Sequence, residues 1–341
     1  MIGKNIKYYR LLKGISQENL AKKIGLNKMA VSNYEKDKRN PDMATIQGIA
    51  KALDVSLAAL LSQQDQQLCI EHGAFRKHST IKKETQELIL GKLDRYLGRL
   101  FNVISILGEA VLAPRPPFER QRVKDNEEAG QFLRQLLGLP SSGPVGNITD
   151  ILENQGFIIC PVEMDERGFS GNSGIVNGRP YIAVNTTMPA ERQRFTLIHE
   201  LAHLVFIFDD GEDDEKMVDS IAGAFLLPEK DIKRELGPKR TNIISDLSII
   251  QKEYGVSLPS IVVRAYQTGV INKTCYEITN KWLSKNGLRS STPSNMEPEK
   301  THLLEQLTLR AVSEEEISVS KAAELLDRPF MEVRQMCFGG V

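Results

Sequence analysis

The sequence predicts a multi-domain chain, mainly α with a small β-sheet. Three observations predict it. Apolar residues recur at three- and four-residue spacing throughout residues 4–61, and helical segments recur along the rest of the 341 residues. Two short runs near the middle, FIICPVEM and RPYIAVN, read as strands. Polar or proline-rich breaks at SQQDQQ, APRPPFER and NGLRSSTPSNMEPE divide the chain into pieces of domain size. The expected boundaries are 1–64, 65–112, 113–285 and 286–341. Composition is that of a soluble globular protein, 41% hydrophobic and 26% charged. No apolar run approaches the roughly 20 residues of a membrane span, and MIGKNIKYYRLLKGISQ lacks the apolar stretch of a secretory signal. Cys69, Cys160, Cys275 and Cys337 lie far apart, which suggests neither a disulfide scaffold nor a cysteine zinc site. The expected setting is a reducing cytoplasm, with no membrane partner.

Residues 4–61 read as five short helices. NIKYYRLLK ends at Gly14. SQENLAKKI starts at Ser16, a good N-cap, and stops at Gly25. NKMAVSNYEKDK is capped by Asn27 and followed by the turn RNPD, after which MATIQGIAKAL and SLAALLS complete the set. A long helix follows from about Thr80 to Ala110, suited to a dimer seam or a spacer. EEAGQFLRQLLGL and NITDILENQG read as helices, and the Asn-Gly of IVNGRP predicts a hairpin turn before RPYIAVN. RFTLIHELAHLVF and EKMVDSIAGAFLLP are helices, the second closed by Pro228. DLSIIQKEYGVSLPSIVVRAYQTGVI reads as packing helices of the same domain. EEEISVSKAAELLDRPFMEVRQM, in the small helical tail, has the shape of a short helix-turn-helix with Ser318 and Ser320 as cap candidates, and is read as a lid or dimer contact rather than a second DNA reader.

The formal net charge is zero, but the charge is unevenly placed. Residues 1–62 carry 11 Lys+Arg against 5 Asp+Glu, whereas residues 111–341 carry 26 against 33. A basic head on an acidic body points to a polyanion partner for the head alone. A helix-turn-helix locks two helices at a steep angle so that the second can enter the major groove. Ala21 in the first helix, Gly25 in the turn and Val31 in the second are spaced for that lock. With the flanking YEKDKRNPD and IAKALDVSLAALL, residues 4–62 resemble the Cro/CI-type (XRE) helix-turn-helix repressors. The resemblance implies that Gln17 donates to a phosphate and that Asn27, Lys28, Met29, Ser32 and Asn33 face the groove. It places Lys36, Lys38 and Arg39 near the DNA backbone. The implied partner is a double-stranded operator, bound as a homodimer.

In HELAH, His199 and His203 lie four apart on a helix and so face one metal ion, with Glu200 beside them to take a proton from the attacking water. The apolar flanks FTLI and LVFIF bury this helix, and buried His and Glu need partners. Two histidines leave a catalytic site short of a third protein ligand. The extended HExxHxxGxxH pattern is absent. Glu215 is the expected third ligand, with Asp213, Asp214 and Glu212 as rivals in the acidic loop. Asp219, one turn beyond Glu215, is placed to orient a ligand histidine.

RQRFTLIHELAHLVF followed by the ExxxDxxAxxFLLP helix resembles the ImmA/IrrE metallopeptidases, zinc endopeptidases of gluzincin-like fold. GAFRKHS, PFER and GFSGNSG…YIAVN extend the resemblance over most of residues 73–285. Val218, Ile221 and Gly223 depart from the family's usual Ala, Phe and Ala, all at packing positions. The implied architecture is an all-α helix-turn-helix head, a long linker helix, an α+β gluzincin-like peptidase domain and a small helical C-terminal tail. The implied cofactor is Zn2+, and the implied chemistry is metal-assisted peptide hydrolysis with Glu200 as the base. YIAVN is the expected edge strand for an extended substrate. Relatives cleave repressors in the control of stress responses, mobile elements or phage defence, some of them triggered by single-stranded DNA. The resemblance thus implies a protein substrate, a repressor or the chain itself, with self-cleavage expected near 62–67 or 113–117. The alternative is a DNA-binding regulator or antitoxin that keeps the peptidase fold as a sensor or partner-binding module.

Overall fold

The computed structural model describes residues 2–62, 68–73, 81–116, 119–123, 125–165, 168–208, 213–289 and 296–339. The head comprises α1 (Ile2–Leu12), α2 (Gln17–Lys23), α3 (Lys28–Glu35), α4 (Met43–Leu53) and α5 (Leu57–Leu61). Then come β1 (Ile70–His72), α6 (Lys83–Leu107) and β2 (Gln121–Arg122). The mixed region holds α7 (Asn126–Leu136), α8 (Ile148–Asn154), β3 (Ile158–Val162), β4 (Gly171–Val176) and β5 (Arg179–Asn185). It continues through α9 (Ala190–Val205), β6 (Phe206–Ile207), α10 (Asp214–Leu226) and α11 (Glu229–Leu236). Next are α12 (Leu247–Tyr254), α13 (Leu258–Gln267) and α14 (Lys273–Lys285), and the tail is α15 (Leu303–Ser313), α16 (Val319–Leu326) and α17 (Phe330–Phe338). The chain is mainly helical with a small mixed sheet, as expected. Among the described residues no helix is long and apolar enough to cross a membrane.

Contacts divide the chain into two units. One holds α1–α5 with α6 as far as Asn102; the other holds β1 and everything from Val103 onward. The stretch 65–112, expected as one linker, is therefore shared between them. The long helix is more than a spacer, because its first part is fastened to α1. Arg95 lies over the rings of Tyr8 and Tyr9, 4.1 and 4.6 Å from their centroids, and donates to Asn5 Oδ1 at 2.9 Å. A side chain at position 91 would collide with Tyr8, so Gly91 sets the approach.

The head closes on Ile6, Leu20, Val31, Ile49, Leu53 and Leu60, all buried. Under them lies an ion pair. Arg10 Nε donates to Glu35 Oε1 at 2.5 Å and Arg10 Nη2 to Glu35 Oε2 at 3.0 Å, while a third N–H reaches the Ile15 carbonyl at 2.8 Å. This bidentate contact ties α1 to the end of α3.

The second unit is built on a four-stranded sheet of order β1-β4-β5-β3. β3 runs parallel to β5, β4 antiparallel to it, and β1 antiparallel to β4. The predicted hairpin joins β4 to β5, with Asn177 at φ 48 and Gly178 at φ 73, the left-handed pair that an Asn-Gly turn supplies. β2 and β6 form a separate parallel pair. α9 packs on β4 and β5. Its buried face shares one core with α7, α10, α12 and α13, so the helices of 246–271 pack into this unit, as expected.

Part of the polar stretch before the tail is pinned to this unit. Glu299 pairs with the buried Arg194 of α9 and accepts from Thr149 N at 2.9 Å. Nearby, Thr301 donates to Glu153 Oε1. Burial pushes the Glu153 carboxyl up to about 7, Asp150 adding to the rise and Thr301 opposing it. A carboxyl raised on folding stabilises the fold in its protonated form, in full below its ordinary 4.5 and fading as pH rises through about 7. Glu153→Gln is therefore expected to flatten this fade. Its melting temperature relative to wild type should climb from acidic to mildly alkaline pH, by an amount worth ~1–3 kcal/mol. Parallel melting curves across that range check it.

Candidate metal centre and nucleic-acid interface

In the head, Ser16 Oγ accepts from Asn19 N at 3.1 Å and Asn27 Oδ1 from Ala30 N at 2.8 Å, capping α2 and α3 as the sequence expects. Between them Gly25 takes φ 69, a conformation that costs other residues strain. Leu20, Ala21 and Val31 are buried and fix the crossing of the two helices. With Val31, Tyr34 and Glu35 turned inward, helical periodicity puts Met29, Asn33 and Lys36 on the outer face and Ser32 at its flank, while Lys28 begins the helix beside the inner stripe. Asn27, Lys28, Met29, Lys36, Lys38 and Arg39 are exposed, Met29 to 68%; Ser32 and Asn33 are half-buried. Gln17 differs from the rest. Its side-chain nitrogen donates to Glu35 Oε2 at 2.7 Å, which ties it into the Arg10–Glu35 pair rather than leaving it wholly to solvent.

In the second unit, α9 buries twelve of its sixteen residues. His199 and His203 sit one turn apart with ring centroids 4.9 Å apart. α10 brings Glu215 opposite them, at 3.5 Å from His199 Nε2 and 3.6 Å from His203 Nε2. The three donor atoms lie within 4.8 Å of one another. Metal–ligand bonds of about 2.0–2.2 Å place tetrahedral donors roughly 3.3–3.5 Å apart, so the observed separations suit one ion with little adjustment. Asp219 Oδ1 is 2.8 Å from His199 Nδ1, which leaves Nε2 aimed at the cluster. Burial pushes the His199 imidazole down, but Asp219, Glu215 and Glu200 outweigh it and raise it to about 9. The pocket is thus charged to hold a cation, and a metal entering it must displace that proton.

Of the rival ligands, Asp213 caps α10, accepting from Lys216 N at 3.3 Å and pairing with Lys216 Nζ at 2.6 Å. Asp214 is exposed, outside the cluster, and Glu212 lies outside the described residues. So do most of GAFRKHS, Pro117 and Phe118 of PFER, and residues 63–67.

Glu200, 8% exposed, points at β4, where Ser173 Oγ donates to its Oε2 at 2.9 Å. Sequence reasoning misses Ser173; the signal for it is the small-residue run GNSG. A Cβ at Gly171 would lie 2.5 Å from Thr196 Cγ2 and 2.7 Å from the Ala183 carbonyl, so β4 approaches α9 only through glycine. Arg120 is missed too; it donates to the His203 and Phe206 carbonyls at 3.2 and 2.5 Å and closes the end of α9.

One expectation is overturned. YIAVN is not an edge: β5 is bonded to β3 on one side and β4 on the other. Its residues are buried along the whole strand, the pattern of a central strand rather than of an alternating edge.

Comparison with known proteins agrees with both halves. The helix-turn-helix family model matches residues 6–60, and the model of the IrrE N-terminal-like domain, an M78 peptidase family, matches residues 161–266. An uncharacterized HTH-type transcriptional regulator of Bacillus subtilis, YqaE, is 37% identical over 74 residues, 22% of this chain and 64% of that protein. The HTH-type transcriptional regulator SinR of Bacillus licheniformis is 39% identical over 67 residues, 19% of this chain and 60% of that one. This chain thus spans under two thirds of the length of these two relatives. A further uncharacterized HTH-type regulator, from Methanocaldococcus jannaschii, is 35% identical over 60 residues, which are 18% of this chain and 91% of its own length. The chain belongs to the helix-turn-helix family through its N-terminal head, and it joins to that head an IrrE N-terminal-like domain of the M78 peptidase family.

Proposed function

We propose that this protein is a DNA-bound zinc endopeptidase that cleaves a repressor, or itself, in response to a signal such as single-stranded DNA. One observation carries the reading: Glu200 is buried beside the His199–His203–Glu215 cluster and is held by a hydroxyl of its own, that of Ser173. A site used only to bind a structural metal has no need of a fourth, separately held carboxylate. His199, His203 and Glu215 would hold the ion, and Asp219 would keep His199 oriented. Zinc, when bound, polarises the scissile carbonyl and acidifies the attacking water. Glu200 then accepts the water's proton and passes it to the leaving amine, its carboxylate steadied by Ser173. The head would bring this chemistry to an operator through α3, as a homodimer in the cytoplasm. The relatives named as transcriptional regulators support the DNA-binding half of this reading.

The test compares new protein N-termini in host lysate after adding wild type or Glu200→Gln, each with and without single-stranded DNA. Cuts made by wild type alone are expected, and their sequence names the substrate. Identical N-termini in all four samples, with zinc shown to be bound, would leave a regulator that uses the peptidase fold for sensing.

A further inference from the structure

The sheet has one edge that borders the reacting groups, and the chain itself covers it. Glu200 is contacted by Ser173, which stands in the middle of β4. β5 closes one side of β4. The opposite side is where an extended peptide could add a strand, about 4.8 Å away, and lie along Glu200 and the histidine pair. The far edge of the sheet, on β3, is separated from β4 by the whole width of β5. On the side that matters lies β1, antiparallel to β4, with Ile70 opposite Val176, Glu71 opposite Ile175 and His72 opposite Gly174.

We infer that the outer edge of β4 is the peptide-binding edge of the site, and that Cys69–Gly73 occupies it in cis and excludes an extended substrate until released. The inference rests on the endopeptidase reading for its meaning but not for its test. Specific contacts hold the segment at both ends. Gly73 N donates to the Ser173 carbonyl at 2.8 Å, on the very residue that steadies Glu200, and Asn172 Nδ2 donates to the Gly73 carbonyl at 3.1 Å. At the other end Asn177 N donates to the Cys69 carbonyl at 2.9 Å, and Cys69 N to Asn177 Oδ1 at 3.0 Å. Between them His72 Nδ1 meets the buried Tyr181 hydroxyl at 2.7 Å. That contact crosses Gly174, where a Cβ would stand 2.8 Å from Tyr181 Oη and 2.3 Å from the Glu71 carbonyl. Glycine at 174 thus makes room for the latch.

A three-residue strand on an edge is marginal by itself, so the occupant is removable. Its removal would expose unpaired N–H and C=O groups of β4, which bind an extended backbone of almost any sequence. The ligand class is therefore an unfolded or loop segment of a protein. In the chain β1 follows the DNA-binding head, so the occupant is carried by the connection between the two activities.

The test uses the full-length chain in a Glu200→Gln background, so that binding is read without hydrolysis. With Cys69 and Gly73 at hydrogen-bonded positions, the two-residue period puts Glu71 at one as well. Glu71 is exposed, and Glu71→Pro deletes its donor without touching the core. A second variant adds His72→Ala to remove the Tyr181 contact. Hydrogen exchange at the Cys69 and Gly73 amides, which donate to Asn177 and Ser173, reports release, and anisotropy of fluorescein-labelled casein reports binding. Exchange is expected to be slow in the parent and fast in the variants, with casein affinity rising at least about tenfold as the open fraction grows. Three results would overturn the inference: the Cys69 and Gly73 amides unprotected in the parent, neither variant speeding their exchange, or faster exchange with unchanged casein affinity. If affinity rises but no variant with Glu200 intact cleaves casein, the occluded edge stands and the endopeptidase reading falls.

Discussion

Glu200→Gln is expected to keep one zinc ion per chain and to lose hydrolysis by roughly 10²–10⁴-fold, the usual contribution of a positioned base. His203→Ala is expected to lose both. The contrast follows from where the three donors sit. His199, His203 and Glu215 converge on one point, whereas Glu200 stands beside it as a non-ligand and is held by Ser173. Glutamine keeps the volume of Glu200 and can still accept from the Ser173 hydroxyl, so the packing of α9 on β4 survives. What it loses is the ability to take a proton. Alanine at 203 instead leaves His199 and Glu215 as a two-donor site, which holds zinc weakly. Asp219→Asn belongs between these cases. It keeps a hydrogen bond to His199 Nδ1 but removes a negative charge, and a loss of 10–100-fold in metal affinity is the common result of such a change. Metal content per chain and turnover of an unfolded substrate, measured on the same preparations, separate the three. Zinc lost from Glu200→Gln, or turnover kept by it, would remove Glu200 from the role of base.

Much of this is legible in the sequence because local rules decide it. Ser16 and Asn27 cap helices where their side chains reach back to backbone N–H groups, and both positions are read from residue type alone. The Asn-Gly turn is another such case, since few residue pairs tolerate two left-handed conformations in a row. The histidine pair is legible because helical spacing alone places it. Glu215 takes more, since it arrives from a different helix, and its partner Asp219 is reached only through its spacing from Glu215. What stays hidden is non-local. β1 is three residues long, IEH, with no alternation to mark it, and it becomes a strand only because β4 offers an edge. The same non-locality misplaces YIAVN. An apolar run of that length fits a central strand as well as an edge, and only the pairing of β3 on its far side settles which. Ser173 escapes notice because a serine in a glycine-rich stretch reads as turn chemistry until the strand is seen against α9.

Neutralising Lys36, Lys38 and Arg39 together is expected to weaken DNA binding on the order of 10²-fold at moderate salt. It should also reduce the slope of log affinity against log salt by about 2.7, or 0.9 for each phosphate no longer neutralised. All three side chains are exposed, and they follow the C-terminal end of α3, where Asp37 at φ 51 turns the chain. Their removal touches neither the Arg10–Glu35 pair nor the core of Leu20, Val31 and Ile49, so the head should melt as before. Removing charges that meet phosphates weakens binding to every duplex alike, because phosphates carry no sequence. Asn33→Ala and Ser32→Ala should behave differently. These half-buried residues lie on the outer face of α3 and its flank, one turn from Lys28 and Met29, where base edges would be met. Their loss should narrow the gap between a selected operator and random duplex by ~1–3 kcal/mol per bidentate contact while leaving the salt slope nearly unchanged. Titrations of both duplexes at several salt concentrations distinguish the two classes. If the triple variant keeps the wild-type slope, the basic charge of the head is not what holds DNA, and the +6 of residues 1–62 serves some other polyanion.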